Sequence, residues 1–261
     1  PIRFTNMATG EHFHILLNSF AIKGEGAPVY SLDLGGDVAS PALGLYNLDR
    51  LNFGVSGGVG WSSAKPTELE LDNFKLVADF LEATVNAHVD FGRDIVVKDF
   101  DLELGEMRIE RVLGVIPDSV RELYDLSARN FSTDVSLSFN ARSTAPFNLT
   151  TDSIPSAEMT LNLLPGAVRF GRANFTRVGG TIRATLAGND LNAAVFSLHD
   201  FLVQGPATDL TVNCRATRVL DDPQVSGNVR GRTNLRRLPR QVADLLHGSL
   251  SGRLTLDLEF E

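Results

Sequence analysis

One cysteine in 261 residues, Cys214, excludes an intramolecular disulfide framework and a multi-cysteine metal site. A catalytic thiol needs a base beside it, and the histidine nearest in sequence, His199, belongs to a different segment. Cys214 therefore reads as a small hydrophobe on a strand with Leu210, Val212 and Ala216. No stretch of about 18 apolar residues exists, so no helix here is expected to cross a bilayer, and no signal-peptide pattern is visible. Lysine is scarce, with four against twenty arginines. Net charge is −8, so the chain lacks the basic footprint of a nucleic-acid binder. A composition of 43% hydrophobic and 21% charged residues is not that of a disordered chain.

What the sequence does have is a period of two. Ala83, Val85, Ala87, Val89 and Phe91 alternate with Thr84, Asn86, His88 and Asp90. Phe100, Leu102 and Leu104 alternate with Asp99, Asp101 and Glu103. The same alternation runs through Val135, Leu137, Phe139 and Ala141; through Ala157, Met159, Leu161 and Leu163; through Ile182, Ala184 and Leu186; and through Leu254, Leu256, Leu258 and Phe260. Such runs predict antiparallel strands with one apolar and one wet face. Turn signals separate them, among them Leu164-Pro165-Gly166, Gly188-Asn189-Asp190 and Gly205-Pro206. Two short helices are expected. One follows Pro117-Asp118 and runs through Val120, Leu123 and Tyr124; the other spans about 239–247, with Val242, Leu245 and Leu246 on one face and Gly248 as its stop. Two short helices do not cover a dozen strands. The apolar face must meet a second sheet, curl upon itself, or meet a bound apolar ligand.

Two distant stretches share a pattern. Pro41 to Gly44 leads to Asn47-Leu48-Asp49-Arg50-Leu51, and Pro223 to Gly227 leads to Asn234-Leu235-Arg236-Arg237-Leu238. The pattern predicts repeated β units. Residues 1–51 read as the end of one unit and 52–261 as the next, together one continuous elongated domain. The chain starts at Pro1 and stops inside an alternating run, and it reads as a piece of a longer protein.

Motifs for catalysis are weak. Gly54-Val55-Ser56-Gly57-Gly58 matches the G-x-S-x-G nucleophile elbow, but Val59 to Pro66 is a poor helix and no βαβ alternation surrounds it. His12 and His14 share a strand face without an adjacent third metal ligand, so no metal and no cofactor is expected. Asp99, Asp101 and Glu103 form the solvated side of an amphipathic strand. The strongest charged feature is Arg230, Arg232, Arg236, Arg237 and Arg240, which suit anionic headgroups or an acidic partner, or form a solvated face.

The segment Asp222-Pro223-Gln224-Val225-Ser226-Gly227 with Asn234, Leu235 and Leu238, and the strand Leu250-Ser251-Gly252-Arg253-Leu254, resemble the AsmA-like family of bacterial envelope proteins. These are relatives of TamB and of the repeating β-groove lipid-transfer proteins. The motif-bearing part is mainly residues 205–261. Family members typically carry an N-terminal membrane helix, which this chain does not show. The resemblance implies a mostly β protein: a long curved antiparallel sheet (a β-groove, or an open sandwich-like form) with an apolar concave face. It also implies a periplasmic place, an inner-membrane anchor outside this piece, and a part in phospholipid transport and outer-membrane homeostasis. It brings no catalytic residues. The expected ligands are phospholipid or fatty acyl chains, lining Val85, Ala87, Val89, Phe91, Val135, Leu137, Phe139, Met159, Leu161, Leu163, Ile182, Ala184 and Leu186. The alternatives are a structural or protein-binding envelope module using the arginines, and a serine hydrolase at Ser56. Alternation alone does not separate an open groove from a sandwich core, because both bury the same face.

Overall fold

The computed structural model describes residues 2–6, 11–23, 29–46, 48–79, 81–124, 126, 131–171, 173–234, 236 and 252–261. The protein is mostly β, with 74% of the described residues in strands. The strands are β1 (Ile2–Asn6), β2 (Glu11–Lys23), β3 (Val29–Ala39), β4 (Leu51–Ser62), β5 (Lys65–Ala78), β6 (Leu81–Phe91), β7 (Ile95–Arg108), β8 (Phe131–Thr133), β9 (Ser136–Ser143), β10 (Phe147–Asn148), β11 (Ser156–Phe170), β12 (Ala173–Ala187), β13 (Asp190–Gly205), β14 (Thr208–Thr217), β15 (Gln224–Asn234) and β16 (Arg253–Phe260). All sixteen belong to one open antiparallel sheet that does not close into a barrel.

The sheet is a meander in chain order. β8 and β9 both pair with β11, while β9 and β10 both pair with β7. Together they form one strand broken at Asp134-Val135 and again at 144–146, so the sheet has fourteen positions. At about 4.8 Å per position it is about 60 Å wide. The longer connections leave one edge of the sheet. These are residues 40–50, which hold a 3₁₀ segment at Pro41–Tyr46, and residues 109–130, which hold both described helices. The opposite edge carries tight turns such as 63–64 and 188–189.

The helices α1 (Ile109–Gly114) and α2 (Asp118–Leu123) bury no residue. α1 leans on the ends of β7 and β8, where the Ile109 amide donates to the Val135 carbonyl. The helix expected after Pro117 is α2, and its apolar side stays in solvent, with Leu123 77% exposed. α1 was not expected from the sequence, and the helix expected at 239–247 lies outside the described residues. The two copies of the proline–asparagine pattern occupy different elements. Pro41 to Gly44 lies in the 3₁₀ segment, whereas Val225 to Gly227 lies within β15. The sheet runs unbroken past residue 51, with β3 and β4 paired from Val29↔Gly60 to Val38↔Leu51.

A different repeat is built into the backbone. In β5, Asn73 takes a left-handed conformation (φ 48°) at a bulge, and its amide donates to Asn86 Oδ1 at 2.8 Å. In β13, Asp200 does the same (φ 49°), its amide donating to Asn213 Oδ1 at 2.7 Å. Each bulge is followed by a phenylalanine, Phe74 or Phe201, whose backbone lies against a glycine of the preceding strand. A Cβ on Gly57 would come within 2.7 Å of Phe74 Cα, and one on Gly180 within 2.7 Å of Phe201 Cα. Both glycines have positive φ, 155° and 151°, that side chains rarely adopt. Bulges bend and twist a strand, so this device shapes β4–β6 and β12–β14 alike. Gly180→Ala is expected to destabilise the protein by about 1–3 kcal/mol in urea unfolding, because strain and close approach add there. Gly114→Ala, where a Cβ meets nothing within 4 Å, should stay within about 0.5 kcal/mol of the parent.

Candidate functional site

Directly opposed residues in a sheet put their side chains on the same face. Followed strand to strand, one row reads Leu34, Val55, Leu76, Ala83, Leu104, Phe139, Leu161, Ile182, Leu198, Cys214, Gly227 and Phe260. It crosses twelve strands without a charged residue. A parallel row reads Phe74, Val85, Leu102, Ala141, Met159, Ala184, Phe196, Ala216 and Val225. On either side of these, Met107, Leu137 and Leu163 line up, as do Leu69, Val89, Val97 and Phe147. The other face is the complement: Asp33, Ser56, Lys75, Thr84, Glu103, Asn140, Thr160, Arg183, Ser197, Arg215 and Ser226 form one of its rows.

Nothing closes over the apolar face among the described residues. Among the described residues, only six hydrophobic residues are buried, four of them alanine, and no large side chain is fully buried. The chain exposes 16550 Å². A compact monomer of 28.3 kDa would expose about 11,200 Å². Leu76, Val225, Leu258 and Phe260, all on the apolar face, are between 37% and 52% exposed.

Of the residues expected to line a groove, Val85, Ala87, Val89, Leu137, Phe139, Met159, Leu161, Leu163, Ile182, Ala184 and Leu186 are half-buried on strands, and Phe91 is exposed at the end of β6. Val135 departs from the expectation. It is buried in the break between β8 and β9, where its amide bonds to Thr133 Oγ1, so it is packed rather than open. Sequence reading missed the row members Val55 and Leu198, which lie in runs interrupted by glycine or a bulge.

The arginines do not gather on this face. Arg230 and Arg232 lie on the polar side, because Val229 and Gly231 take the apolar positions. Arg230 Nε donates to Asp257 Oδ1 at 3.0 Å, and Arg232 lies 3.9 Å from Asp209. Arg236 is exposed, while Arg237 and Arg240 lie outside the described residues. The expected basic cluster is therefore, in β15, a pair of cations already matched by carboxylates from neighbouring strands.

The remaining motifs separate. Ser56 sits in the middle of β4 rather than on a strand-to-helix turn, so the weak elbow match lacks the strand–turn–helix that the motif needs. Cys214 faces the apolar side and His199 the polar side. His12 bonds Thr5 Oγ1 at 3.1 Å and His14 bonds Asp37 at 3.2 Å. No group of three metal-ligating side chains forms among the described residues. Concavities of about 770 and 610 Å³ indent the polar side of β12–β16, near Gln204, Asp209 and Arg232 and near Ser197, His199 and Asn213. Comparison with protein-family models, with characterised proteins and with solved structures returns no match to this chain.

The tightest charge cluster on the polar face centres on Glu68. Lys98 Nζ donates to Oε1 at 2.7 Å, while Lys65 Nζ and His88 Nε2 reach Oε2 at 3.0 and 3.1 Å. The Lys98 hydrogen bond, then that of Lys65, holds the Glu68 carboxyl down at about 2 against an ordinary 4.5. A depressed carboxylate stabilises the fold above its unfolded pKa, and that contribution disappears as pH falls toward the folded value. The stability gap between the parent and Glu68→Gln should therefore close as pH is lowered from about 5 to about 2. A gap that stays constant over that window, in denaturant melts, would show that Lys98 and Lys65 do not hold the carboxylate.

Proposed function

We propose that this chain is a non-enzymatic lipid-binding or lipid-conducting module whose apolar sheet face receives acyl chains. The observation that carries the reading is the pair of charge-free rows, crossing up to twelve strands, with no second layer over them among the described residues. Apolar surface on this scale marks an interaction site in a soluble chain. An acyl chain suits it, since each methylene removed from water contributes about 0.8 kcal/mol and needs no directional partner. The AsmA-like resemblance suggests the setting: a periplasmic segment, anchored to the inner membrane through a segment outside this one, with a part in phospholipid transport and outer-membrane homeostasis. The alternative of an arginine-docked acidic partner has less support, because Arg230 and Arg232 already have carboxylate neighbours.

Native and denaturing mass spectrometry of the purified protein tests the proposal, with phospholipid or fatty acid expected at stoichiometric amounts. Leu137→Asp puts a carboxylate between Met107 and Leu163 on the apolar face. It should lower lipid occupancy several-fold and leave the melting temperature within about 4 °C, the shift that ~1 kcal/mol produces. A clean apo mass in folded protein defeats the reading. So does unfolding of Leu137→Asp, the response of a closed core to an unpaired buried charge.

A further inference from the structure

Along the polar face, cations commonly meet a carboxylate. Lys98 and Lys65 meet Glu68, Arg142 meets Glu158, Arg230 meets Asp257 and Arg232 meets Asp209. Two arginines in the middle of β12 and β14 do not. Arg183 and Arg215 are exposed and have no ion-pair or hydrogen-bond partner among the described residues. The register sets them on either side of one serine, with Arg183 opposite Ser197 from β12 and Arg215 opposite it from β14. At about 4.8 Å per strand their Cα atoms are about 10 Å apart with Ser197 between them, so two long side chains can close on one small group. Ser226, opposite Arg215, extends the row. The concavity of about 610 Å³ lies at this place, with Ser197, Arg215 and Ser226 in its lining.

The uncharged neighbours are hydrogen-bonding groups. His199, two residues along β13, has Nε2 3.0 Å from Ser197 Oγ. When Nε2 carries the proton and donates, the Ser197 hydroxyl is free to donate outward. Asn213 accepts the Asp200 amide on Oδ1 at 2.7 Å, which leaves its side-chain nitrogen to donate into the same concavity. Carboxylates on adjacent strands are held elsewhere: Glu158, opposite Thr185, by Arg142, and Glu259, opposite Asn228, by Arg230 at 3.8 Å. We propose that Arg183, Ser197 and Arg215 bind a phosphate group on the polar face. A carboxylate, with two oxygens, fills one guanidinium fork and leaves the other unmatched. A phosphate group has three or four oxygens to share between both forks and the serine. The phosphate can be that of a free anion or of a headgroup in a facing membrane. A lipid whose acyl chains lie on the apolar face has the sheet between them and this site, so the inference stands apart from the proposed lipid binding.

The test is a titration of the purified protein with inorganic phosphate at constant ionic strength, followed through the amide resonances of Ser197 and Arg215. Saturable shifts are expected, with a dissociation constant on the order of 1 mM, as suits an open site. Arg183→Gln and Arg215→Gln should each weaken binding on the order of tenfold with the melting temperature unchanged. Arg177→Gln should leave binding as it is. Arg177 is also exposed and without an ion-pair partner among the described residues, on the same strand but about 20 Å away, so this variant removes the same charge outside the site. Flotation with vesicles of phosphatidylcholine and phosphatidic acid separates the two sources. Capture that is lost in Arg183→Gln and Arg215→Gln assigns a headgroup, and no capture beside intact phosphate binding assigns a soluble anion. Shifts that never saturate, that chloride reproduces, or that Arg177→Gln weakens as much as the two site variants would overturn the proposal.

Discussion

The structure depends on one constraint: a sheet with an apolar side has to keep that side from water, and this chain supplies no second layer for it among the described residues. Domains ordinarily meet the requirement by packing two layers around a core. Here the helices α1 and α2 stand at the end of β7 and bury nothing. The hydrophobic residues that are fully buried are mostly alanines, which sit low between larger neighbours. Stability must then come from the ladder itself, from side chains leaning on their cross-strand neighbours, and from whatever lies on the apolar face. A bound apolar occupant would thus be part of the fold's energetics as well as its cargo, since ligands that bind only the folded state stabilise it.

A flat, fourteen-position sheet would be unusual, because strand twist accumulates. The two matched bulges bear on this. Each combines a left-handed Asn or Asp, an asparagine from the next strand that takes its amide, and a glycine that lets the following phenylalanine backbone come close. They recur at β4–β6 and β12–β14, six positions apart in the sheet. Recurrence of a local bend at matched places lets a long sheet turn without closing, and closure would have removed both the edges and the open face.

Much of this was legible. Alternation in Ala83 to Phe91, Ala157 to Leu163 and Leu254 to Phe260 announced strands, because a half-buried strand needs little beyond a period of two. The open face was not legible, since a sandwich core demands the same alternation from the same residues. The neutralisation of Arg230 was also hidden, because its partner Asp257 comes from another strand, beside it only through the β15–β16 register. The repeat was sought in the wrong signal. Proline and asparagine patterns marked unlike elements, whereas Leu71-Asp72-Asn73-Phe74 and Leu198-His199-Asp200-Phe201 mark the same bulge, each 13 residues before the asparagine that caps it. α1 escaped because six residues ending in glycine carry no helical period to detect.

The same features that make the face unspecific suit it to passage. A pocket holds its ligand by convergent polar groups, and leaving it means breaking them. The rows from Leu34 to Phe260 offer one apolar residue after another at strand spacing, with no charge to stop an acyl chain and no directional bond to release. On the proposed reading, the energy of an acyl chain sliding from strand to strand changes little, because each apolar neighbour it leaves behind is matched by an equivalent one ahead. Polar residues are kept to the opposite side by the strand pairing, and a one-residue slip would bring polar side chains, at β5, β7 or β12 the charged Lys75, Glu103 or Arg183, into the path. Fidelity of strand register is thus the property on which transport along such a surface would turn.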